Sequence, residues 1–191
     1  IINTKGEEFS LFDEQFLNDV ANMKEKNLAI EMLKKLLAQH IKKHQKKNLT
    51  QAELFSEMLD KRLAEYLRGM ISNEEVIKEL LEMAKLMKQH AEEGNALGLS
   101  DEEQAFYDAL TRPRAVKDFY ENNQLVAMAR EITDALRKNR TLDWRQKETA
   151  RAKMRTMIKR LLKKYHYPPE EAQNAIEVVM RQCELWADNE E

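Results

Sequence analysis

The sequence predicts an all-α protein, a helical bundle of about seven or eight helices in which an N-terminal helical arm precedes a C-terminal bundle. Three observations carry this. Of 191 residues, 35% are charged and 42% hydrophobic, with only four Gly and three Pro. Leu, Met, Ala, Glu and Lys abound, the usage of packed helices with charged surfaces rather than of sheets. Apolar residues recur at three-to-four spacing along nearly the whole chain.

Phe9, Phe12, Phe16, Val20 and Met23 mark a first amphipathic helix. Ile30, Leu33, Leu37 and Ile41 mark a second, which runs into the polar, basic stretch 42–47, expected to be the turn of a helical hairpin. Thr50, with Glu53 three residues on, predicts a capping box at the start of a third helix burying Leu54, Phe55, Met58, Leu59, Leu63, Tyr66 and Leu67. The same signature recurs as Ser72 with Glu75 and as Ser100 with Glu103. The fourth helix carries Val76, Ile77, Leu80, Ala84 and Met87 and is expected to stop near Gly94. The stretch 95–99 is the best internal boundary, dividing an arm over 1–94 from a bundle over 95–191.

Ala105, Phe106, Ala109 and Leu110 predict a short helix, broken at Arg112-Pro113. Leu125, Ala129, Ile132 and Leu136 predict the next, ending at Asn139. Thr141 or Asp143 then opens a long helix to about Tyr165, and Pro168-Pro169 opens the last, whose stripe is Ala172, Ile176, Val179, Cys183 and Trp186.

Several function classes find no support. Four scattered glycines write no phosphate-binding loop. His40 and His44 stand one helical turn apart, but no third ligand is evident, so no metal site is assigned. Cys183 lies on an apolar stripe and reads as a small buried hydrophobe, not a nucleophile. Carboxylate pairs such as Glu74-Glu75 and Glu170-Glu171 read as first-turn acids favoured by the helix dipole. Trp144 and Trp186 fit core positions better than base-stacking platforms. No catalytic residue is assigned. A lone cysteine points to a reduced cytoplasm, and no stretch is apolar enough to span a membrane. The chain starts at Ile1 without a methionine, which reads as a piece of a longer polypeptide.

One feature stands out. Residues 137–164 hold a dozen Lys and Arg and only two acids, Asp143 and Glu148, a net charge of +10 inside a chain whose formal net charge is -2. Residues 166–191 hold seven acids and one Arg. On a wheel of about 100° per residue centred on Ile158, the apolar arc of the long helix takes Trp144, Ala150, Met154, Met157, Leu161, Leu162 and Tyr165. Lys153, Arg160 and Lys164 stand opposite, flanked by Arg145, Lys159 and Lys163. Such a row suits a phosphate backbone or an acidic protein surface. The competing reading is a solvated face, or one paired with the acidic last helix. Arg151 falls near the apolar centre and needs a carboxylate, with Glu148 one turn earlier as the expected structural partner.

The run Leu99-Ser100-Asp101-Glu102-Glu103, continuing through Ala105-Phe106-Tyr107-Asp108-Ala109-Leu110, resembles the opening of the C-terminal helical domain of type I restriction enzyme R subunits. Ala129-Arg130-Glu131-Ile132, Arg137-Lys138-Asn139, Asp143-Trp144, Glu148, Arg151-Ala152, Lys159-Arg160-Leu161-Leu162, Tyr165 and Tyr167-Pro168-Pro169 follow in that domain's order. Asn27-Leu28-Ala29 and Phe55-Ser56-Glu57-Met58-Leu59 resemble its preceding helices, whereas 112–117 and His166 depart from the pattern. The resemblance implies a parent that couples ATP hydrolysis, with magnesium, to DNA translocation and distant cleavage. It also implies a methyltransferase subunit as partner and contact with double-stranded DNA, which the cation row would make non-specific, while the absence of nucleotide and metal motifs leaves no cofactor expected in this piece.

Overall fold

The computed structural model describes residues 13–112, 114–140, 144 and 146–189. Among the described residues the fold is all-α, without strands: α1 Glu14–Ala21, α2 Lys26–Gln45, α3 Leu49–Leu67, α4 Asn73–Ala96, α5 Asp101–Thr111, α6 Arg114–Phe119, α7 Asn122–Asn139, α8 Glu148–Lys164 and α9 Pro169–Asn189. Two compact units are present. One comprises residues up to Lys43 with Leu54–Glu92, the other His44–Glu53 with the residues from Glu93 onward.

In the first unit, Asp13 caps α1 by accepting from the amides of Gln15 and Phe16 at 3.0 and 3.2 Å. Phe9 and Phe12 of the expected stripe lie outside the described residues. Ile30, Leu33, Leu37, Val76, Ile77 and Leu80 are all buried, as their spacing predicts. Leu54 and Leu67 are not: the α3 stripe drifts off the buried face at both ends, leaving Leu67 81% exposed. Arg62 ties α3 to α4 through Glu79 at 3.0 Å while also binding Glu65 on its own helix at 2.9 Å. The Ser72–Glu75 box is present in both directions, at 2.7 and 3.2 Å.

The second unit corrects two helix ends. Helix α3 starts at Leu49, not after Thr50, because Asn48 is the cap: its Oδ1 accepts from the amide of Gln51 at 3.1 Å. Thr50 sits inside the first turn with a buried hydroxyl that has no hydrogen-bond partner among the described residues. Helix α4 runs past Gly94 to Ala96, and Gly98, at φ +65°, supplies the left-handed residue. The Leu99 amide then reaches back to the Gly94 carbonyl and the Gly98 amide to that of Asn95, a Schellman ending.

From there the bundle follows the periodicity. Ser100 and Glu103 form the predicted box, and α7 ends at Asn139. Helix α6 was not anticipated; it follows Pro113, which lies outside the described residues. The long helix begins at Glu148 rather than at Thr141 or Asp143, which also lie outside the described residues, since Lys147 is still extended. Trp144 reaches the core from a turn instead. Phe106, Leu110, Leu125, Met128, Ile132 and Ile158 are fully buried around it. Trp186 is half-buried, packed edge-on to Phe106 at 4.9 Å between ring centroids.

Candidate functional site

Helix α8 lies between α7 and α9, and its neighbours sort its cations. Against α9, Arg151 meets Glu184 at 2.6 Å and Arg155 meets Glu177 at 3.3 Å, a pairing order that makes the two helices antiparallel. Arg151 therefore finds its carboxylate on α9 and not at Glu148, which is exposed in the first turn of α8. Its side chain is about one third exposed and the Glu184 contact is a charge contact rather than an aligned hydrogen bond. The acidic last helix thus neutralises two cations of the basic segment, on the flank nearer the core.

Against α7, the Lys164 ammonium lies 2.7 and 3.0 Å from the two oxygens of Glu131. The Tyr165 hydroxyl donates to the same carboxylate at 2.5 Å, and the Tyr120 hydroxyl donates to the Tyr165 carbonyl at 2.8 Å. The Lys164 and Tyr165 hydrogen bonds hold the Glu131 carboxyl below the usual carboxylate range, and the Glu131 bond pushes the Tyr165 phenol up to about 12. Lys164 is consequently no open member of the row. Lys153, Lys159, Arg160 and Lys163 are exposed and, among the described residues, have no ion pair. Arg145 lies outside the described residues.

Between α7 and α8 runs a surface groove of about 1030 Å³. Met157, Leu161 and Ala135 form an apolar floor, while Lys138 from α7 and Lys153 and Arg160 from α8 stand at its sides. Lys159 and Lys163 do not line it, so the open cations form a groove set and an outer set.

The sites that sequence reading set aside carry little chemistry. Cys183 is buried, and burial pushes its thiol up to about 12, far from thiolate reactivity at neutral pH. Burial and Lys43 lower the His40 imidazole. Among the described residues no group of three His, Cys, Asp or Glu side chains is placed to hold a metal.

Sequence reading missed two polar devices. Gln182 is fully buried and clamps the α2–α3 turn, its Oε1 accepting from the Leu49 amide at 2.8 Å and its Nε2 donating to the Lys47 carbonyl at 2.9 Å. Asn48, besides capping α3, donates to Asp108 at 2.6 Å. The Gln182 bonds and the Asn48–Asp108 bond have no local signal, since the partners stand 60 or more residues apart.

Residues 1–189 match the family described as type I restriction enzyme HindI endonuclease subunit-like, C-terminal. The chain belongs to this family. It is 36% identical over 182 residues to the type I restriction enzyme HindI endonuclease subunit of Haemophilus influenzae, covering 95% of this chain and 17% of that protein. It is 31% identical over 158 residues to the putative type I restriction enzyme MjaIXP endonuclease subunit of Methanocaldococcus jannaschii, covering 82% of this chain and 15% of that protein. The chain thus spans about a sixth of the relatives' length, in agreement with the resemblance to the C-terminal domain of the R subunit. No solved structure matches. No described helix is long and apolar enough to cross a membrane.

Proposed function

We propose that this chain is the non-catalytic C-terminal module of a type I restriction R subunit, acting in the cytoplasm, where it joins the motor to the methyltransferase core and contacts duplex DNA without reading sequence. ATP, magnesium, translocation and cleavage then belong to the rest of the parent protein. Family membership supports the setting. The DNA contact is carried by one observation: four exposed cations on α8, Lys153, Lys159, Arg160 and Lys163, have no ion pair among the described residues, although acids of α7 and α9 neutralise Lys164, Arg151 and Arg155. Cations left unpaired on one helix can replace the counterions of a phosphate backbone.

A second reading, protein docking without nucleic acid, draws on the apolar floor of the groove. Fluorescence titration with a short duplex at low salt separates the two. The DNA reading predicts binding that the double reversal Lys159→Glu, Lys163→Glu weakens at least tenfold at any sequence, with helicity unchanged. Equal binding by both chains, or none by either, leaves protein docking as the function of this face.

A further inference from the structure

We infer that the α7–α8 groove receives an acidic amphipathic helix of the assembly partner, one that carries acids two turns apart. This rests on the assembly reading above and names the place and chemistry of the contact.

The shape comes first. Ala127, Ala135 and Ala152 put only methyl groups along the groove, so a third helix can approach the α7–α8 pair closely. Ala127 and Ala152 are exposed, and Met157 and Leu161 are only partly buried, so the floor is apolar surface still in contact with water. An apolar helix face laid along it removes that surface from water, as in other helix-in-groove contacts. The floor presents no buried polar group that would anchor an enclosed small ligand, and an elongated occupant fits better.

Charge then selects the occupant. Lys138, Lys153 and Arg160 line the groove from both helices, all exposed and without an ion pair among the described residues. Glu131 is engaged by Lys164 and Tyr165, which leaves Asp134 as the open acid of the lining. Lys153 and Arg160 are seven residues apart on one side of α8, a rise of about 10.5 Å. A helix alongside α8 meets both with carboxylates at positions i and i+7 while its opposite edge covers Met157 and Leu161. A phosphate backbone fits this strip less well. It gains nothing from the apolar floor, whereas Lys159 and Lys163, outside the groove, present cations without one.

The test fills the groove without touching charge. Ala127→Trp and Ala152→Trp place indoles at exposed positions, and their melting temperatures check that the fold is kept. Binding to the purified methyltransferase core is titrated for the wild-type chain, for each tryptophan variant and for Lys153→Glu with Arg160→Glu. The inference predicts that all variants lose at least tenfold in affinity for the core, while the tryptophan variants keep wild-type affinity for duplex DNA. Wild-type binding of the core by both tryptophan variants overturns the inference and leaves the assembly reading standing. Failure of the wild-type chain to bind the core overturns both. Loss of DNA affinity with unchanged core binding assigns the groove to nucleic acid instead.

Discussion

Glu131 of α7 holds Lys164 of α8 across 33 residues of sequence, its two oxygens 2.7 and 3.0 Å from the ammonium, while Tyr165 donates to the same carboxylate. A wheel drawn on α8 alone puts Lys164 in line with Lys153 and Arg160, but the neighbouring helix decides which of these cations remain open.

This pairing has a signature in titration. The hydrogen bond that its hydroxyl donates to Glu131 pushes Tyr165 up to about 12, against an ordinary 10.0. Glu131→Gln is predicted to bring Tyr165 back toward 10, read by NMR of ring-labelled tyrosine. The sign for Glu131 follows from its lowered folded-state value. Its contribution to stability is complete above the unfolded value near 4.5 and is lost as pH falls through the lower folded value. Acid melts of the wild type are therefore predicted to carry a component that Glu131→Gln lacks. An unchanged Tyr165 titration in the variant refutes the pairing.

Arg151 and Glu184 are predicted to be coupled, and Arg151 and Glu148 not. Both members of the pair are about one third exposed, so solvent screens the charges and the loss is smaller than for a fully buried pair. Arg151→Ala or Glu184→Ala is expected to cost about 1–2 kcal/mol, and Glu148→Ala within about 0.5 kcal/mol. A double-mutant cycle by denaturant unfolding that finds its coupling at Glu148 contradicts this.

Gln182 has a larger expected effect. Replacing it with Leu keeps the bulk but strands the Leu49 amide and removes a donor from the Lys47 carbonyl, which Trp186 also reaches at 3.1 Å. Unsatisfied buried groups cost about 1–3 kcal/mol each, so Gln182→Leu is predicted to destabilise by about 2 kcal/mol or more. A change within 0.5 kcal/mol, by the convention of ~0.5 for inert surface sites, refutes the clamp.

His166 offers the opposite sign. It ends α8 at φ 56°, with the Tyr167 amide bonded to the Leu162 carbonyl at 2.9 Å and its own to that of Lys163 at 3.1 Å. This is the left-handed position that glycine fills without strain from a Cβ. His166→Gly is predicted to raise stability by about 0.5–1 kcal/mol, and a lowered melting temperature shows the imidazole to have a role of its own.

The helices other than the six-residue α6 were legible because each buries a stripe along its own sequence, and Ser72, Ser100 and Pro169 mark starts with local chemistry. The cap at Asn48 was misplaced because Asn48 with Gln51 and Thr50 with Glu53 both spell a cap, and the bonds to Asp108 and Gln182 that favour the earlier residue come from far along the sequence. The partners of Arg151 and Lys164 were hidden for the same reason. A wheel gives the direction of a side chain, but Glu184 and Glu131 arrive through packing. The two sets of open cations became visible only once the groove between α7 and α8 had walls.

The salt dependence of duplex binding tests the functional account most directly. The two open cations outside the groove, Lys159 and Lys163, predict that log affinity falls linearly with log salt at a slope of about −1.8, taking roughly 0.9 per phosphate neutralised. Lys159→Ala is predicted to flatten the slope by about one unit and Lys164→Ala, whose charge Glu131 already holds, to leave it unchanged. A wild-type slope near zero, or equal flattening by the two variants, contradicts the assignment of open and neutralised cations on which the DNA contact rests.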